Sequence, residues 1–519
     1  MPAALMNDSA ALTWRASLLD RLSTPLGAAW LCLFVALLAR AVQFGNPVIH
    51  VDDQFYLFVG DRMWHGAMPY RDIWDRKPVG LFLIFAAIRA LGGEGVIQYQ
   101  LAATGFVVAT AVVIRAIARR IANPRGATAA GIVYLTSLGI SGGDGGQSPV
   151  FYNLFVAVSV WAMLAAVERP RFDRRAVLLG SAAMLLMGLA IQIKYTVLFE
   201  GVFLGLVLLW RAWKCGHSPA AVLALALGWT ILGLASTGAA WWYFAAAGQG
   251  DAFVYANFTS IFDRRAEPVD VVLGRLAAIV IRLIPLSVAA WYGIAGARAR
   301  DPDETPAKSL ARRIIAGWAL AALGAVLIFG SYFDHYALPL YVPLAVAAAP
   351  LMGDPKSGVA LIIRGKSRLM TTAVFLIIAT SIVTATTSAR FRKERGTGPE
   401  VREMAAMLKP LLKDCLYIYD GDPILYMMTN SCLPTRWPFP DHLNNKREVG
   451  AVGVDALTEM RRIMANHPTY VVSRTSPQSK TYTPGWDEMQ VDLARDYRSV
   501  AEWQVGPSKR VIYQRIPGH

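Results

Sequence analysis

The chain has 519 residues, of which 55% are hydrophobic and only 17% are charged, and its mean hydropathy is +0.39. This composition excludes an ordinary soluble protein and indicates a polytopic membrane protein. The formal net charge of +15 does not indicate nucleic-acid binding, because the basic residues lie in short clusters between apolar runs rather than in one patch.

Apolar segments long enough for membrane-spanning helices recur along most of the chain. A helix needs about 20 apolar residues to cross a bilayer, and this criterion predicts roughly eleven spans. They are 24–44, 96–118, 126–141, 150–167, 175–193, 195–212, 219–246, 271–295, 312–330, 336–352 and 369–388. The first lacks a following cleavage site, so we interpret it as a retained span. The apolar run 79–91 is too short to cross and is expected to lie in the interface or re-enter.

Basic residues concentrate in alternate loops, which the positive-inside rule assigns to the cytoplasm. The cytoplasmic loops contain residues 115–125, 169–175, 211–214, 298–313 and 356–368. The remaining polar segments are expected on the outer face. They are the loop after Val51, the turn around Asp144, Lys194, and the segments 248–270, 331–336 and 391–519.

The segments divide the chain into three predicted parts. Residues 1–23 form a cytoplasmic N-terminus, residues 24–390 form the transmembrane domain with its first outer loop at 45–95, and residues 391–519 form a soluble domain. In the last part, helices are predicted at 400–412, 423–428 and 454–465, and strands at 416–419, 469–472, 499–505 and 510–514. The predicted fold class is therefore a polytopic α-helical membrane protein with a small C-terminal α/β domain.

Cysteine usage adds little to this reading. Cys32 and Cys215 are expected to be reduced, and the sequence leaves open whether Cys415 and Cys432 form a disulfide in the exported tail. No cysteine or histidine spacing forms a zinc signature.

A dense polar segment at 51–83 directly follows the first span. It begins with Asp52 and Asp53, contains repeated aromatic residues, and ends with Arg76-Lys77-Pro78 where apolar sequence resumes. Carboxylates and cations thus flank one loop at a membrane surface.

This segment resembles the signature of the GT-C glycosyltransferases that use polyprenyl-phosphate sugars, a family that includes protein O-mannosyltransferases and the aminoarabinose transferase that modifies lipid A. In that signature an acidic pair opens the first outer loop and is followed by an aromatic residue, a glycine turn and a Lys-Pro pair. The corresponding residues here are Asp52-Asp53, Tyr56, Gly66 with Pro69-Tyr70, and Lys77-Pro78.

Two residues depart from the signature, since the family more often has Asp-Glu and Lys-Pro-Pro where this chain has Asp53 and Val79. Residues 329–350 are also similar to the family's His-Tyr segment before a late span. The resemblance covers roughly residues 24–390 and implies a GT-C-like fold of about eleven transmembrane helices with interfacial helices.

The chemistry of sugar transfer explains these residue types. The reaction needs a base that takes a proton from the acceptor hydroxyl and cations that stabilise the leaving phosphate. Asp52 is the predicted base and Asp53 is the second catalytic candidate. The predicted donor-phosphate ligands are Lys77, Arg76 and Lys194. The substrate-binding candidates are Tyr56, Tyr70, Asp144 and His335. A phosphate leaves without a metal, and no metal cage is evident, so no divalent metal or other cofactor is expected.

Each of these assignments has a structural alternative. Asp52 and Asp53 are also suited to cap an interfacial helix that begins near Gln54. Lys77 and Arg76 are equally suited to anchor a helix end to lipid headgroups.

The later candidates have similar alternatives. Asp144 fits a solvated turn, Lys194 fits a side chain that snorkels outward, and His335 fits a hydrogen-bonded interface histidine. The aromatic residues at 241–243 are expected to form an interfacial belt.

The predicted function is transfer of a sugar, with inversion, from a polyprenyl-phosphate donor to a cell-envelope lipid, glycan or protein at the periplasmic face of a bacterial inner membrane. Membrane lipids are the other expected partners. The sequence does not encode the donor sugar, the acceptor or the oligomeric state. A transporter or flippase remains an alternative, although it would be expected to carry ionisable groups near mid-span. A non-catalytic envelope assembly protein is the third hypothesis.

Overall fold

A computed structural model describes residues 21–22, 24–296, 301, 304–363 and 366–518. The predicted N-terminal part, 1–23, therefore lies almost entirely outside the described residues. The helices up to residue 395 are α1 (Pro25–Arg40), α2 (Val51–Trp64), α3 (Val79–Arg89), α4 (Val96–Ala118), α5 (Pro124–Ser137), α6 (Ser148–Val167), α7 (Arg174–Ile191), α8 (Leu198–Lys214), α9 (Pro219–Ala246), α10 (Gly250–Val254), α11 (Val269–Ala295), α12 (Pro306–Ile328), α13 (Tyr341–Met352) and α14 (Thr372–Arg395).

Ten helical segments among the described residues are long and apolar enough to cross a bilayer. The eleventh predicted span, 126–141, consists of the 14-residue helix α5 and a 3₁₀ turn, Leu138–Ser141. This segment is short because it is an interior element: it packs against α1, α4, α13 and α14, and its side chains are buried from Gly126 onward. The predicted polytopic helical architecture is confirmed.

Two short helices lie where the first outer loop was predicted. Helix α2 begins at Val51, three residues before the expected start near Gln54, and α3 has only 11 residues, as its short apolar run indicated. The two helices pack closely at Gly60, where a Cβ atom would lie 2.7 Å from the α3 backbone at Phe85. The predicted first outer loop therefore contains two helices that pack against each other.

The tail contains a four-stranded mixed sheet with helices. Its helices are α15 (Gly398–Leu408), α16 (Ile424–Met428), α17 (Pro440–Asn444), α18 (Ala456–Ala465) and α19 (Thr483–Asp496). The strands of the tail sheet are β3 (Tyr417–Ile418), β4 (Tyr470–Arg474), β5 (Tyr497–Val505) and β6 (Ser508–Arg515), in the order β3-β4-β6-β5. Two earlier strands, β1 (Gly358–Ile363) and β2 (Lys366–Thr371), form an antiparallel hairpin between α13 and α14 that was not predicted from the sequence.

The strand β3 pairs parallel to β4, and the other two pairings are antiparallel. This is the small α/β domain that the sequence predicted, although α17 and α19 were not predicted. Cys415 and Cys432 form a disulfide within it. Helix α14 continues without a break to Arg395, past the predicted domain start at 391.

The tail packs against the first outer loop. Arg62 of α2 donates hydrogen bonds to the backbone carbonyls of Tyr426 and Ser431, and Gln54 donates to Asp422 at 3.1 Å. Helix α2 thus lies between the helix bundle and the tail.

Candidate active site

The acidic pair lies in the first turn of α2, but neither carboxylate caps the helix. His50 occupies the N-cap position and makes no capping bond with its side chain. Asp53 is fully buried, and its Oδ2 accepts a hydrogen bond from the backbone N–H of Gly146 at 2.7 Å. Asp52 is half-buried, and its Oδ2 accepts a hydrogen bond from the Gln147 amide at 3.1 Å. Neither residue therefore provides a side-chain cap, although both lie in the first turn, where a carboxylate favours the helix N-terminus.

The turn that receives Asp53 is held by an arginine from the first span. Arg40 donates hydrogen bonds of 2.7 Å to the carbonyls of both Gly143 and Gly145. Gly145 lies so close to the carboxylate that a Cβ atom there would be 1.9 Å from Oδ2 of Asp53. The approach of this acidic side chain thus requires a glycine at position 145.

Burial determines the proton affinity of Asp53. It raises the pKa of this carboxyl to about 6, against the lowering effect of His50 and the Gly146 hydrogen bond. Its Oδ1 atom is buried without a hydrogen-bond partner. A proton on Asp53 near neutral pH is therefore energetically accessible.

Asp144 is not a solvated turn residue. It is only 3% exposed, and its Oδ2 accepts hydrogen bonds from Gln43 at 2.7 Å and Ser388 at 3.0 Å. Its Oδ1 lies 3.6 Å from Nε2 of His50. Burial would raise the pKa of Asp144, but His50 and these hydrogen bonds hold it well below its usual range. Asp144 therefore remains ionised and connects the turn to α1 and α14.

Lys77 lies at the other end of the loop and faces the acidic pair. Its ammonium lies 5.4 Å from the ring centre of Tyr56, which is on α2. Burial lowers the pKa of Lys77, but the charges of Asp52 and Asp75 outweigh it and the pKa is raised. The structure therefore brings Lys77 and Asp52 into one electrostatic site.

Lys194 points into the same site rather than outward. Its ammonium lies 4.3 Å from the ring centre of Tyr336, which follows His335. Burial and the charge of Lys77 lower the pKa of Lys194 to about 7. Across the described part of the chain, neither lysine forms an ion pair with a carboxylate. Two lysines that contact aromatic rings but no carboxylate thus act on each other in one site.

His335 borders this space. It lies in the 3₁₀ helix Asp334–Leu340, its ring stacks on Phe333 and contacts Tyr336, and the charges of Lys77 and Lys194 both act on it. This position is compatible with substrate contact and also with the interface alternative.

Arg76 takes a different direction from its neighbour Lys77. Its guanidinium pairs with Glu448 of the tail and donates to the carbonyl of Ala451, and its Nε donates to Ser260 at 3.0 Å. The headgroup-anchor alternative does not describe this buried arginine. Its side chain connects the loop to the tail rather than facing the two lysines.

The two tyrosines also differ. The Tyr56 hydroxyl is buried without a partner beside Lys77. Tyr70 has a φ of 69° and a fully buried ring, and its hydroxyl donates to the carbonyl of Lys77 at 2.8 Å. Tyr70 thus supports the loop backbone, whereas Tyr56 lines the site.

An apolar cavity of about 730 Å³ opens next to the two lysines. Its wall includes Val79, two residues after Lys77, and Ile193, immediately before Lys194. The rest of the wall comes from the apolar helices α3, α6, α7 and α9 and from residues 63–69. The cavity is thus a mainly apolar space whose wall contains residues close in sequence to both lysines, although neither lysine lines it.

Among the described residues, no three side chains of His, Cys, Asp or Glu lie close enough together to hold a metal ion. We therefore assign no metal ligands.

The overall arrangement of the chain matches solved structures. ArnT from Cupriavidus metallidurans bound to undecaprenyl phosphate is 15% identical, with a TM-score of 0.60 over 95% of this chain and 98% of that chain. The apo state of the same protein is 14% identical, with a TM-score of 0.58 over 98% of each chain. The chain has the ArnT-like GT-C fold.

The oligosaccharyltransferase of Archaeoglobus fulgidus is also similar, at 13% identity and a TM-score of 0.49 over 88% of this chain and 70% of that chain. We draw no conclusion about the structure or function of this chain from that weaker similarity. No protein-family model and no curated protein sequence matches the chain. The predicted GT-C architecture is thus confirmed at the level of fold.

Sequence reasoning missed several residues of the candidate site. His50, Arg40 and Gln147 hold the acidic side chains and the glycine turn, and Glu448 and His442 reach the loop from the tail. Arg40 at the end of an apolar span was a usable signal, because an ionised residue there needs a partner. The tail residues gave no such signal, since nothing in a local pattern shows which distant loop they contact.

Proposed function

We propose that this chain is a membrane glycosyltransferase that moves a sugar from a polyprenyl-phosphate donor to a cell-envelope acceptor. The observation that carries the proposal is the convergence of Asp52, Lys77 and Lys194, together with an apolar cavity whose wall contains residues close in sequence to both lysines. A base, two cations and a space for a lipid chain are the parts that this reaction requires.

The lysines suit the donor phosphate. The charge of Lys77 disfavours protonation of Lys194, so an anion between them would relieve this repulsion and gain two charge-assisted hydrogen bonds. The leaving phosphate gains charge as the glycosidic bond breaks, so the same cations stabilise the transition state more than the ground state. Arg76 is not included in this role, because its guanidinium is engaged by Glu448.

Asp52 suits the base better than Asp53. Asp52 is half-buried and lies within electrostatic range of both lysines, whereas Asp53 is enclosed and its Oδ2 is bound to Gly146. We assign Asp52 to proton removal from the acceptor hydroxyl and Asp53 to holding the glycine turn against α2. Attack from the side of Asp52 on a sugar whose phosphate lies at the lysines inverts the anomeric centre.

The apolar cavity suits the polyprenyl chain. Its wall is mainly apolar and is formed by membrane-spanning helices together with α3 and the end of the first outer loop, and Val79 and Ile193 in this wall are close in sequence to Lys77 and Lys194. A lipid placed there would direct its phosphate toward Lys77 and Lys194. Undecaprenyl phosphate, which is bound to ArnT in a structure of the same fold, has the matching chemistry.

We also propose that the site and the tail face the periplasm of a bacterial inner membrane. The basic loops are at the opposite ends of the spans from Asp52, and the tail carries the Cys415–Cys432 disulfide. Both features favour an oxidising, extracytoplasmic compartment for this end of the molecule.

A gene-replacement experiment tests the function. Envelope glycolipids and polysaccharides are compared by mass spectrometry in cells that lack the gene and in cells restored with wild type, Asp52→Asn or Asp251→Asn. Asp251 is exposed in α10 and serves as the matched control. We expect wild type and Asp251→Asn to restore a mass shift of one sugar, and Asp52→Asn to restore about 10²-fold to 10⁴-fold less of it at equal protein level. Equal restoration by Asp52→Asn would remove Asp52 from the mechanism.

A binding experiment tests the donor site separately. Purified protein is titrated with undecaprenyl phosphate and with undecaprenol, which has the same chain without the phosphate. We expect Lys77→Met to weaken only the binding of undecaprenyl phosphate, and Ala240→Trp, which fills the cavity, to weaken both. A wild-type protein that binds the two lipids equally would contradict a phosphate site at the lysines.

A further inference from the structure

One histidine of the tail domain lies between the two halves of the proposed site. His442, in α17, is only 4% exposed, and its ring contacts Phe55 edge-on at 6.1 Å between centroids. Phe55 is two residues after Asp53 on the helix that carries the acidic pair. The same ring contacts Trp74 edge-on at 4.8 Å. His442 thus packs against the acidic helix and against the lysine-bearing end of the loop.

A polar connection runs from His442 to Lys77. Nε2 of His442 lies 3.5 Å from Oδ2 of Asp75, and Oδ1 of Asp75 accepts a hydrogen bond from the backbone N–H of Lys77 at 2.7 Å. Asp75 is 7% exposed, so this connection is shielded from water. The Asp75 carboxylate therefore lies between the histidine ring and the backbone of Lys77.

The tail also holds this part of the loop through the main chain. The backbone N–H of Trp74 donates to the carbonyl of Arg436 at 2.7 Å, so the tail also binds the residue that precedes Asp75. The Trp74 ring is 1% exposed and has little freedom to move. His442 therefore acts on a segment that is already fixed, which leaves the Asp75 side chain as the part it orients.

We propose that His442 is a positioning residue that sets the place of the Lys77 ammonium relative to Asp52, so that the tail domain completes the donor-phosphate site. The inference rests on the proposed function and adds a role for the tail to it. The aromatic contacts of the ring fix the spacing between α2 and the loop, and its Nε2 fixes the Asp75 carboxylate. A simple packing residue would need only the first of these two properties.

The two properties can be separated by substitution. His442→Phe keeps an aromatic ring but has no nitrogen, and His442→Gln restores a side-chain N–H near the position of Nε2. Asp75→Asn weakens the same connection from its other end without changing the tail. His467→Gln, at an exposed position in the same domain, is the matched control.

The measurement is the ratio of the dissociation constants for undecaprenol and undecaprenyl phosphate, which isolates the part of binding that depends on the phosphate. We expect His442→Phe and Asp75→Asn each to lower this ratio by on the order of tenfold, His442→Gln to restore most of it, and His467→Gln to leave it unchanged. In a Lys77→Met background, His442→Phe should have no further effect, because the two residues act through one contact.

A ratio that His442→Phe and Asp75→Asn leave unchanged would overturn the inference, as would an equal loss in the Lys77→Met background. If His442→Phe does not fold, Asp75→Asn and His442→Gln decide between the same outcomes. A wild-type ratio of one would instead remove the donor site itself, so that this failure is distinguishable from failure of the positioning role alone.

Discussion

Asp53 and Gly146 are joined by a 2.7 Å hydrogen bond from the glycine N–H to the carboxylate Oδ2, although 93 positions separate them in sequence. This bond fixes the helix that carries the acidic pair against the turn that carries Asp144. The position of Asp52, one residue before Asp53, follows from it. The turn is therefore part of the site even though its glycines contribute no side chain.

Substitution of Gly145 tests the contact between this turn and the acidic helix. We expect Gly145→Ala to lower thermal stability and to abolish activity, because its Cβ would lie 1.9 Å from Oδ2 of Asp53 and the turn would have to move. Gly105→Ala, in the span α4, has no heavy atom within 4 Å of its Cβ and is the control. It should be neutral or stabilising by up to about 1 kcal/mol. Thermal unfolding in detergent compares the two, and equal stabilities would contradict the close approach.

The raised pKa of Asp53 predicts a pH-dependent cost of folding. The carboxyl has a pKa of about 6 in the folded chain and an ordinary value of 3.8, so the folded state binds this proton more tightly. Its contribution to stability is fully present below about pH 4 and is lost as the pH rises through 6, at a cost on the order of 3 kcal/mol. Asp53→Asn should therefore be more stable than wild type at pH 8.

The advantage of Asp53→Asn should disappear below about pH 3, where wild-type Asp53 is mostly neutral in both states. Unfolding free energies at the two pH values check this sign. Asp251→Asn should show no such dependence, because Asp251 is exposed. A pH-independent effect of Asp53→Asn would indicate that the Gly146 contact, and not the charge, determines the change.

The lowered pKa of Lys194 predicts pH-dependent binding of a phosphate lipid. The free ammonium has a pKa of about 7, and an anion placed against it raises that value, so binding takes up a proton. Affinity for undecaprenyl phosphate should fall as pH rises above 7, by at most about tenfold for each pH step. Lys194→Arg, which stays charged, should flatten this dependence while keeping most of the affinity at pH 7. Identical pH profiles for the two proteins would show that Lys194 does not bind the anion.

The buried carboxylate of Glu448 should be essential for attachment of the loop to the tail. It pairs with both Arg76 and Arg264, and its side chain is 7% exposed. Glu448→Ala would leave two guanidinium groups without their counter-charge, and we expect it to cost about 3–5 kcal/mol of stability. Glu502→Ala removes the exposed ion pair with Lys509 in the same domain and should cost less than about 1 kcal/mol. Denaturation of both variants measures the stability that each one loses. Equal losses would show that other contacts, and not Glu448, hold the loop to the tail.

The sequence predicted the spans, the acidic helix and the site-facing lysine, because each leaves a local pattern. Apolar runs of about 20 residues have one explanation in a membrane protein, and Asp52 and Lys77 stand out against them. The sequence did not show that α5 is an interior helix, because apolar composition does not reveal whether protein or lipid surrounds it. The hairpin β1–β2 lies in a basic loop and was not predicted, because its residues do not alternate between apolar and polar side chains.

The direction of a side chain was the harder property to predict. Arg76 and Lys77 are adjacent and were assigned one role, yet one pairs with Glu448 and the other faces Asp52. The two residues lie in a bend, and the position of Glu448 in the tail determines which of the two cations is paired and which remains in the site. That position is set by contacts between residues hundreds of positions apart, which a single sequence does not reveal.

The bond between Arg76 and Glu448 spans 372 residues. All of the membrane helices are therefore synthesised before Glu448, the residue that pairs with Arg76 of the loop. A chain that ends before the tail would contain all of the membrane helices but would lack Glu448. In such a chain the loop that carries Lys77 would lack the contact between Arg76 and Glu448 that holds it to the tail.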